Sequence, residues 1–470
     1  MCENERKRAV SGMNKTYEMD MTSGPLLKKI ILFTIPILLS GVLQLLFNAA
    51  DIVVVGRFAG DNAMAAVGST TSLISLLTNL FIGISAGANV AVANFYGARD
   101  EEAVSKTVHT SVIISLVGGT GLLLIGVCLA RPILELMKSP ETVLPLSTLY
   151  LRIYFLGMPA TLLFNFCASI LRATGDTKHP LYFLALAGVL NVLLNLLFVI
   201  VFRLSVAGVA LATILSQHIS LFLILRLMVK SDSCIRLSWR KLRVSKSKLA
   251  RILRVGLPAG VQSSLFALSN VTIQSAINSF GEVVMAANTA SSNIEGFVYI
   301  AMNAVYQAAM NFSGQNYGAG HYRRLHRVLF ECLGLVTIVG MVLGWGAYLL
   351  GGPLLHIYTT SDIVVTYGLQ RMKIVCLCYF ICGWMDTIVG VMRGMGYGIM
   401  PMIVSLVGSC LFRIIWVCTI FQVYHTLPML YISWPVTWIL TFSMHVVCYC
   451  GIWHRRRKEF LEREQTEPDA

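Results

Sequence analysis

Long apolar runs, each interrupted by a short charged or Gly/Pro-containing stretch, recur from one end of the chain to the other. Runs of about 20 apolar residues have the length an α-helix needs to cross a hydrocarbon core of about 30 Å. Breaking the chain at its charged connections predicts twelve such helices, at residues 30–56, 63–95, 107–130, 143–171, 180–202, 206–229, 252–280, 284–316, 328–350, 364–392, 400–422 and 428–453. Composition points the same way: 56% of residues are hydrophobic and only 13% charged, and the mean hydropathy is +0.71. An all-α integral membrane protein is expected, and a soluble enzyme built around one core is excluded.

Polar residues that survive inside such runs carry the candidate chemistry, because an ionisable group at membrane depth is costly and seldom kept without a use. In the first run, Gln44, Asn48 and Asp51 stand at i, i+4 and i+7 and share one helix face. In the fifth, Asn191 and Asn195 lie one turn apart, at the same depth as Asp51, so the two groups are placed to meet. The eighth run is the most polar: Glu295, Tyr299, Asn303, Gln307, Asn311 and Gln315 recur every fourth residue. A ladder of that kind must face protein or water. Asp386 and Arg413 add two charges to the same half of the chain, and an ion pair of Arg413 with Glu295 or Asp386 is the structural alternative to substrate binding there. Arg172 and Arg393, at the ends of spans, are expected at headgroups or capping helix carbonyls.

Charge placement orients the helices. Of 37 Lys and Arg, 29 fall on or beside the tails and connections of one side, four on the opposite side and four within spans, which predicts cytoplasmic termini. The first span is expected to serve as its own insertion signal, since no short apolar signal region precedes it. The net charge of +14 is concentrated in the Arg226–Arg254 stretch, which reads as a linker lying on anionic headgroups and not as a nucleic-acid arm. The twelve cysteines fall mostly inside apolar runs without zinc or disulfide spacing, and read as packing residues.

One pattern occurs twice. Ile35-Pro36 recurs as Leu257-Pro258, Asn48 as Asn270, Tyr96-Gly97-Ala98 as Tyr317-Gly318-Ala319, and Leu171–Pro180 as Met392–Pro401. Six spans per copy give both copies the same orientation, so two six-helix lobes related by a pseudo-two-fold axis along the membrane normal are expected. The domain expectation is a tail at 1–29, lobes at 30–229 and 252–453, a basic linker at 230–251 and a tail at 454–470.

N-x-x-D-x-x-x-V-G-R at Asn48–Arg57, F-Y-G-A-R at Phe95–Arg99, L-R-A-T-G-D-T-K-H-P at Leu171–Pro180 and N-I-E-G-F at Asn293–Phe297, with the repeat, resemble the multidrug and toxic compound extrusion (MATE) transporters over about Gly24 to Trp453. The resemblance implies antiport: export of small amphipathic, often cationic drugs against entry of protons or sodium ions, across the plasma membrane, by two rocking lobes. It implies ion coupling at Asp51 and Asn191. Asn195 stands where several relatives have a second aspartate, and Phe266 where one branch has a glutamate.

On physical grounds, burial disfavours the ionised carboxylate of Asp51, which opens proton uptake and release to a transport cycle. A sodium ion held by Asp51 with the amide oxygens of Asn48, Asn191 and Asn195 would meet the same charge. Substrate contacts are expected from Gln44, Glu295, Tyr299, Asn303, Gln307, Asp386 and Arg413. No resident cofactor is expected beyond the coupling ion, no partner beyond drug and lipid, and a monomer. A flippase of lipid-linked saccharides is the alternative, but would need a strongly cationic cavity. No H-E-x-x-H, Asp-rich motif or nucleophile–base pair suggests an enzyme.

Overall fold

The computed structural model describes residues 17–137 and 140–466, with residues 61 and 457–466 in backbone only. Residues 1–16 of the expected N-terminal tail, residues 138 and 139 and residues 467–470 lie outside the described residues. Helices α1 (Leu26–Phe58), α2 (Asp61–Gly97) and α3 (Glu101–Leu136) are followed by α4, a pair Leu144–Leu156 and Met158–Ala173 bent by 49°. Then come α5 (Lys178–Val201), α6 (Ser205–Lys230) and α7 (Lys246–Asn278). The remainder are α8 (Glu282–Gly318), α9 (Tyr322–Leu349), α10 (Asp362–Gly394), α11 (Ile399–Val423) and α12 (Leu427–Thr466).

Ten of these are long and apolar enough to cross a membrane, and the bent pair makes an eleventh. The twelfth is α8, whose polar ladder lowers its hydropathy. Most helices overrun the apolar runs at one or both ends, because charged residues continue a helix into the headgroup region as readily as in water. The segment expected as a C-terminal tail from 454 accordingly continues α12 to Thr466.

Helices α1–α6 form one lobe and α7–α12 the other. Where they meet, the repeat is visible as a reciprocal contact. A Cβ on Gly97 would stand 2.0 Å from the Gln315 carbonyl oxygen, and one on Gly318 would stand 1.9 Å from that of Asn94. Gly97 and Asn94 occupy in the first lobe the places of Gly318 and Gln315 in the second, so residue i meets j and j meets i, as a two-fold axis requires.

Lipid is as apolar as leucine, so lobes within a membrane adhere by close packing and hydrogen bonds. The stretch Gly83–Gly87 of α2 and Gly256–Gly260 of α7 are both G-x-x-x-G, and they interlock. A Cβ on Gly83 would lie 2.1 Å from the Gly260 nitrogen, and one on Gly87 2.6 Å from the Gly256 Cα. Only glycine permits that approach.

The apolar cores show which way the lobes are tilted. On the side that carries Met21 and Trp453 they are shared: Ile30, Phe33 and Ile37 of α1 pack with Phe312 of α8 and Leu325 of α9, Ile84 and Phe166 with Ile252, and Val90 with Val255 and Met310. On the opposite side the cores are separate. Val54, Val55, Leu73 and Leu151 belong to the first lobe, and Ile273, Ile277, Val417 and Phe421 to the second. The molecule is therefore closed on the side of Met21 and Trp453 and splayed on the other.

Residues 17–25 lie across the closed end. Met21 is fully buried; its amide donates to Gln315 Oε1 at 3.3 Å and its carbonyl accepts from Asn316 Nδ2 at 3.1 Å, both on α8. Arg324 of α9 donates to the Ser23 and Gly24 carbonyls at 2.9 and 2.8 Å. In the first lobe, Tyr96 of α2 donates to Glu18 at 3.1 Å, and the Tyr17 ring meets His179 edge-on at 5.0 Å. The segment thus ties both lobes together. Burial of Asp20 works against its charge, but hydrogen bonds from Ser23 and Thr22 and the Lys29 ammonium outweigh it and hold its carboxyl down to about 2.

Candidate functional site

In the first lobe the site lies near the splayed ends of α1, α5 and α6. Asn195 donates from Nδ2 to Asp51 and stands 3.4 Å from Asn191 Oδ1; Asn191 in turn donates to Thr213 Oγ1 of α6 at 3.3 Å. Asn191 and Asn195 are buried and Asp51 half-buried. The chain of amides orients Asn195 so that a donor faces the carboxylate, and its Oδ1 is left buried without a partner. A buried amide oxygen beside a carboxylate is an acceptor pair suited to a small cation or a shared proton. Tyr150 and Tyr154 of α4 lie within electrostatic range of Asp51.

In the second lobe the centre is Arg371 of α10. It is buried and bidentate on Glu295 of α8, with Nε to Oε1 at 2.9 Å and Nη2 to Oε2 at 2.7 Å. Its Nη1 donates to Asn288, whose amide donates to Gln274 of α7 at 2.9 Å. The guanidinium lies 5.1 Å from the Trp434 ring of α12. Arg413 of α11 lies 5.3 Å from the same ring and donates to Thr437 at 3.2 Å.

Gln307 and Gln315 of the α8 ladder belong to the seam. Gln307 donates to Asn303 at 3.0 Å and accepts from Arg172 of the other lobe at 3.1 Å. Gln315 donates to the Ala173 carbonyl at 2.7 Å. Arg393 donates to the Tyr306 hydroxyl at 2.7 Å and to Gln262 at 2.9 Å.

A model of one family, described as MatE, matches the chain twice, at residues 36–197 and 258–419, one match in each lobe. The chain belongs to the MatE family. It is 31% identical over 386 residues to the probable multidrug resistance protein YoeA of Bacillus subtilis, covering 80% of this chain and 82% of that one. It is 25% identical over 354 residues to a FAD transporter of Shewanella oneidensis, covering 74% and 77%. Among solved structures, the outward-facing conformation of a multidrug resistance MATE transporter superposes with a TM-score of 0.85 at 22% identity, covering 96% of this chain and 99% of that one. MatE proteins are transporters and not enzymes.

Within this MatE fold, the residues singled out from sequence distribute unevenly. Asp51, Asn191 and Asn195 come together. Gln44 and Asn48 are exposed, and neither makes a side-chain hydrogen bond among the described residues; one helical turn separates Asn48 from the Asn195 bond that Asp51 makes. Glu295 does not pair with Arg413, because α10 brings Arg371 closer. Asp386 is half-buried and has no ion pair or hydrogen bond among the described residues, with Tyr299 within its electrostatic range. Arg172 and Arg393 reach inward to side chains instead of to headgroups or helix carbonyls, since polar partners from α7 and α8 stand within their reach. Arg371, Asn288, Gln274 and Trp434 escaped the sequence reading. The signal for Arg371 was present: an arginine nine residues into a span needs a carboxylate, and Glu295 is at matching depth.

Proposed function

We propose that this MatE protein is a secondary active exporter of amphipathic organic compounds, driven by entry of a monovalent ion, a proton or sodium, at Asp51. The observation that carries the proposal is the Asp51–Asn195–Asn191–Thr213 chain, with both asparagines buried, in one lobe of a molecule whose two lobes are splayed on one side only. An ion that binds there changes the charge on α1, and the Asp51–Asn195 bond passes that change to α5. Coupling then follows if the two tilts of the lobes differ in affinity for the ion.

Orientation enters through the Lys and Arg distribution, which supports a cytoplasmic closed end. The splayed side then faces outward across the plasma membrane, the direction in which an exporter releases its cargo. The partners are the exported compound and the surrounding lipid, and the protein acts as a monomer. Multidrug resistance and FAD transport among the relatives' names support a cargo with a flat aromatic body.

The test is drug-dependent proton and sodium flux in proteoliposomes. Asp51→Asn keeps size and hydrogen bonding and removes the charge, so the protein should insert while gradient-driven export falls to background. Substrate binding in detergent should persist without its dependence on the ion. Near-normal export by this variant would refute the mechanism.

A further inference from the structure

Arg413 is a buried cation without a counter-charge. It is 4% exposed, and of its five N–H donors one reaches a neutral hydroxyl, Thr437 Oγ1 at 3.2 Å. Its Nε is buried with no partner. No carboxylate among the described residues lies within ion-pair distance, and the ionised side chain in its electrostatic reach is another cation, Arg371. Arg371 cannot share its own partner, because both oxygens of Glu295 are engaged. Asp386 makes no ion pair with it among the described residues.

The repeat sharpens the point. Both the start and the end of the two family matches are offset by 222 residues, 36 to 258 and 197 to 419, which sets Arg413 at the place of Asn191 and Ile273 at the place of Asp51. The intermediate offset is 221, as Gly97 and Gly318 show. The π turn Leu406–Leu411 in α11 supplies the extra residue before Arg413, as a π turn does. Thus the pocket that holds a carboxylate in the first lobe holds a guanidinium in the second.

One further group faces it: the half-buried Trp434 lies within cation–π distance of both guanidiniums. A guanidinium fork suits a carboxylate, and an indole offers a stacking face.

We propose that Arg413 and the Trp434 ring form a binding site for the carboxylate of an aromatic anion or zwitterion. The inference rests on the reading of the protein as an exporter of amphipathic compounds, and deepens it: the cargo carries a negative group, which the second lobe recognises while the first lobe binds the coupling cation.

Calorimetric titration of the full chain in detergent tests this without any gradient, using naphthalene-2-carboxylate, its neutral amide and chloride as probes. The wild type should bind the carboxylate about tenfold more tightly than the amide. Arg413→Gln should bring that ratio to about one with amide affinity held within about twofold, and Arg413→Lys should retain part of it, since the charge stays while the fork is lost. The Arg413→Lys ratio decides the matter if Arg413→Gln does not fold. An unchanged ratio in these variants, no preference in the wild type, or displacement by chloride with no affinity for the amide would overturn the proposal. Because binding is read apart from flux, failure of coupling at Asp51 would leave this result standing, and the reverse.

Discussion

At the scale of single residues, what decides function is whether a buried polar group has its partner. Glu295 and Arg371 satisfy one another through two hydrogen bonds at 2.9 and 2.7 Å, so removing either strands a buried charge. Glu295→Gln or Arg371→Gln alone should cost about 3–5 kcal/mol, and the double variant should recover much of that; thermal unfolding in detergent measures it. Export of cationic and neutral compounds by Glu295→Gln should fall together, because the carboxylate is occupied by Arg371. Asn195 poses the opposite case. Asn195→Leu deprives Asp51 of its donor and should lower ion-driven export while costing about 1–3 kcal/mol, read by flux and by unfolding.

At the scale of elements, helices in lipid are held where backbones can approach. The Gly83–Gly87 and Gly256–Gly260 stretches meet at 2.1 to 2.6 Å from an added Cβ. Gly260→Val should therefore wedge α2 from α7 and open the closed end. The segment 17–25 secures that end from outside the membrane. Removing residues 1–24 deletes the Met21, Ser23 and Gly24 links to α8 and α9, and spin labels at Glu102→Cys and Arg327→Cys should show longer, broader distances in both variants. With its carboxyl held down to about 2, Asp20 contributes to the strap at every pH above its unfolded value of about 3.9 and loses that contribution only as pH falls through about 2. Titration of Asp20 should thus leave the distances unchanged between about pH 6 and about pH 8. Broadening across that interval would assign the closure to another group.

At the scale of the whole molecule, the start of α1 and the end of α12 share one side, and the orientation of that side is the testable quantity. In a cysteine-free background, Lys246→Cys should react with an impermeant maleimide only from the cytoplasmic side and Asn62→Cys only from the outside; reaction of both from one side would sink the topology. Apolar run length determined the number of helices, because spanning a bilayer requires about 20 apolar residues wherever they occur. The internal repeat determined two like-oriented lobes, because an even number of spans restores direction. Asp51, Asn191 and Asn195 were legible because helix period and depth are local quantities. Which charge meets which was decided only by tertiary structure. Glu295 could be paired on paper with Arg413, yet the packing of α10 on α8 delivers Arg371 to it and leaves Arg413 alone; periodicity gives the face of a helix, but not the neighbour that face will meet.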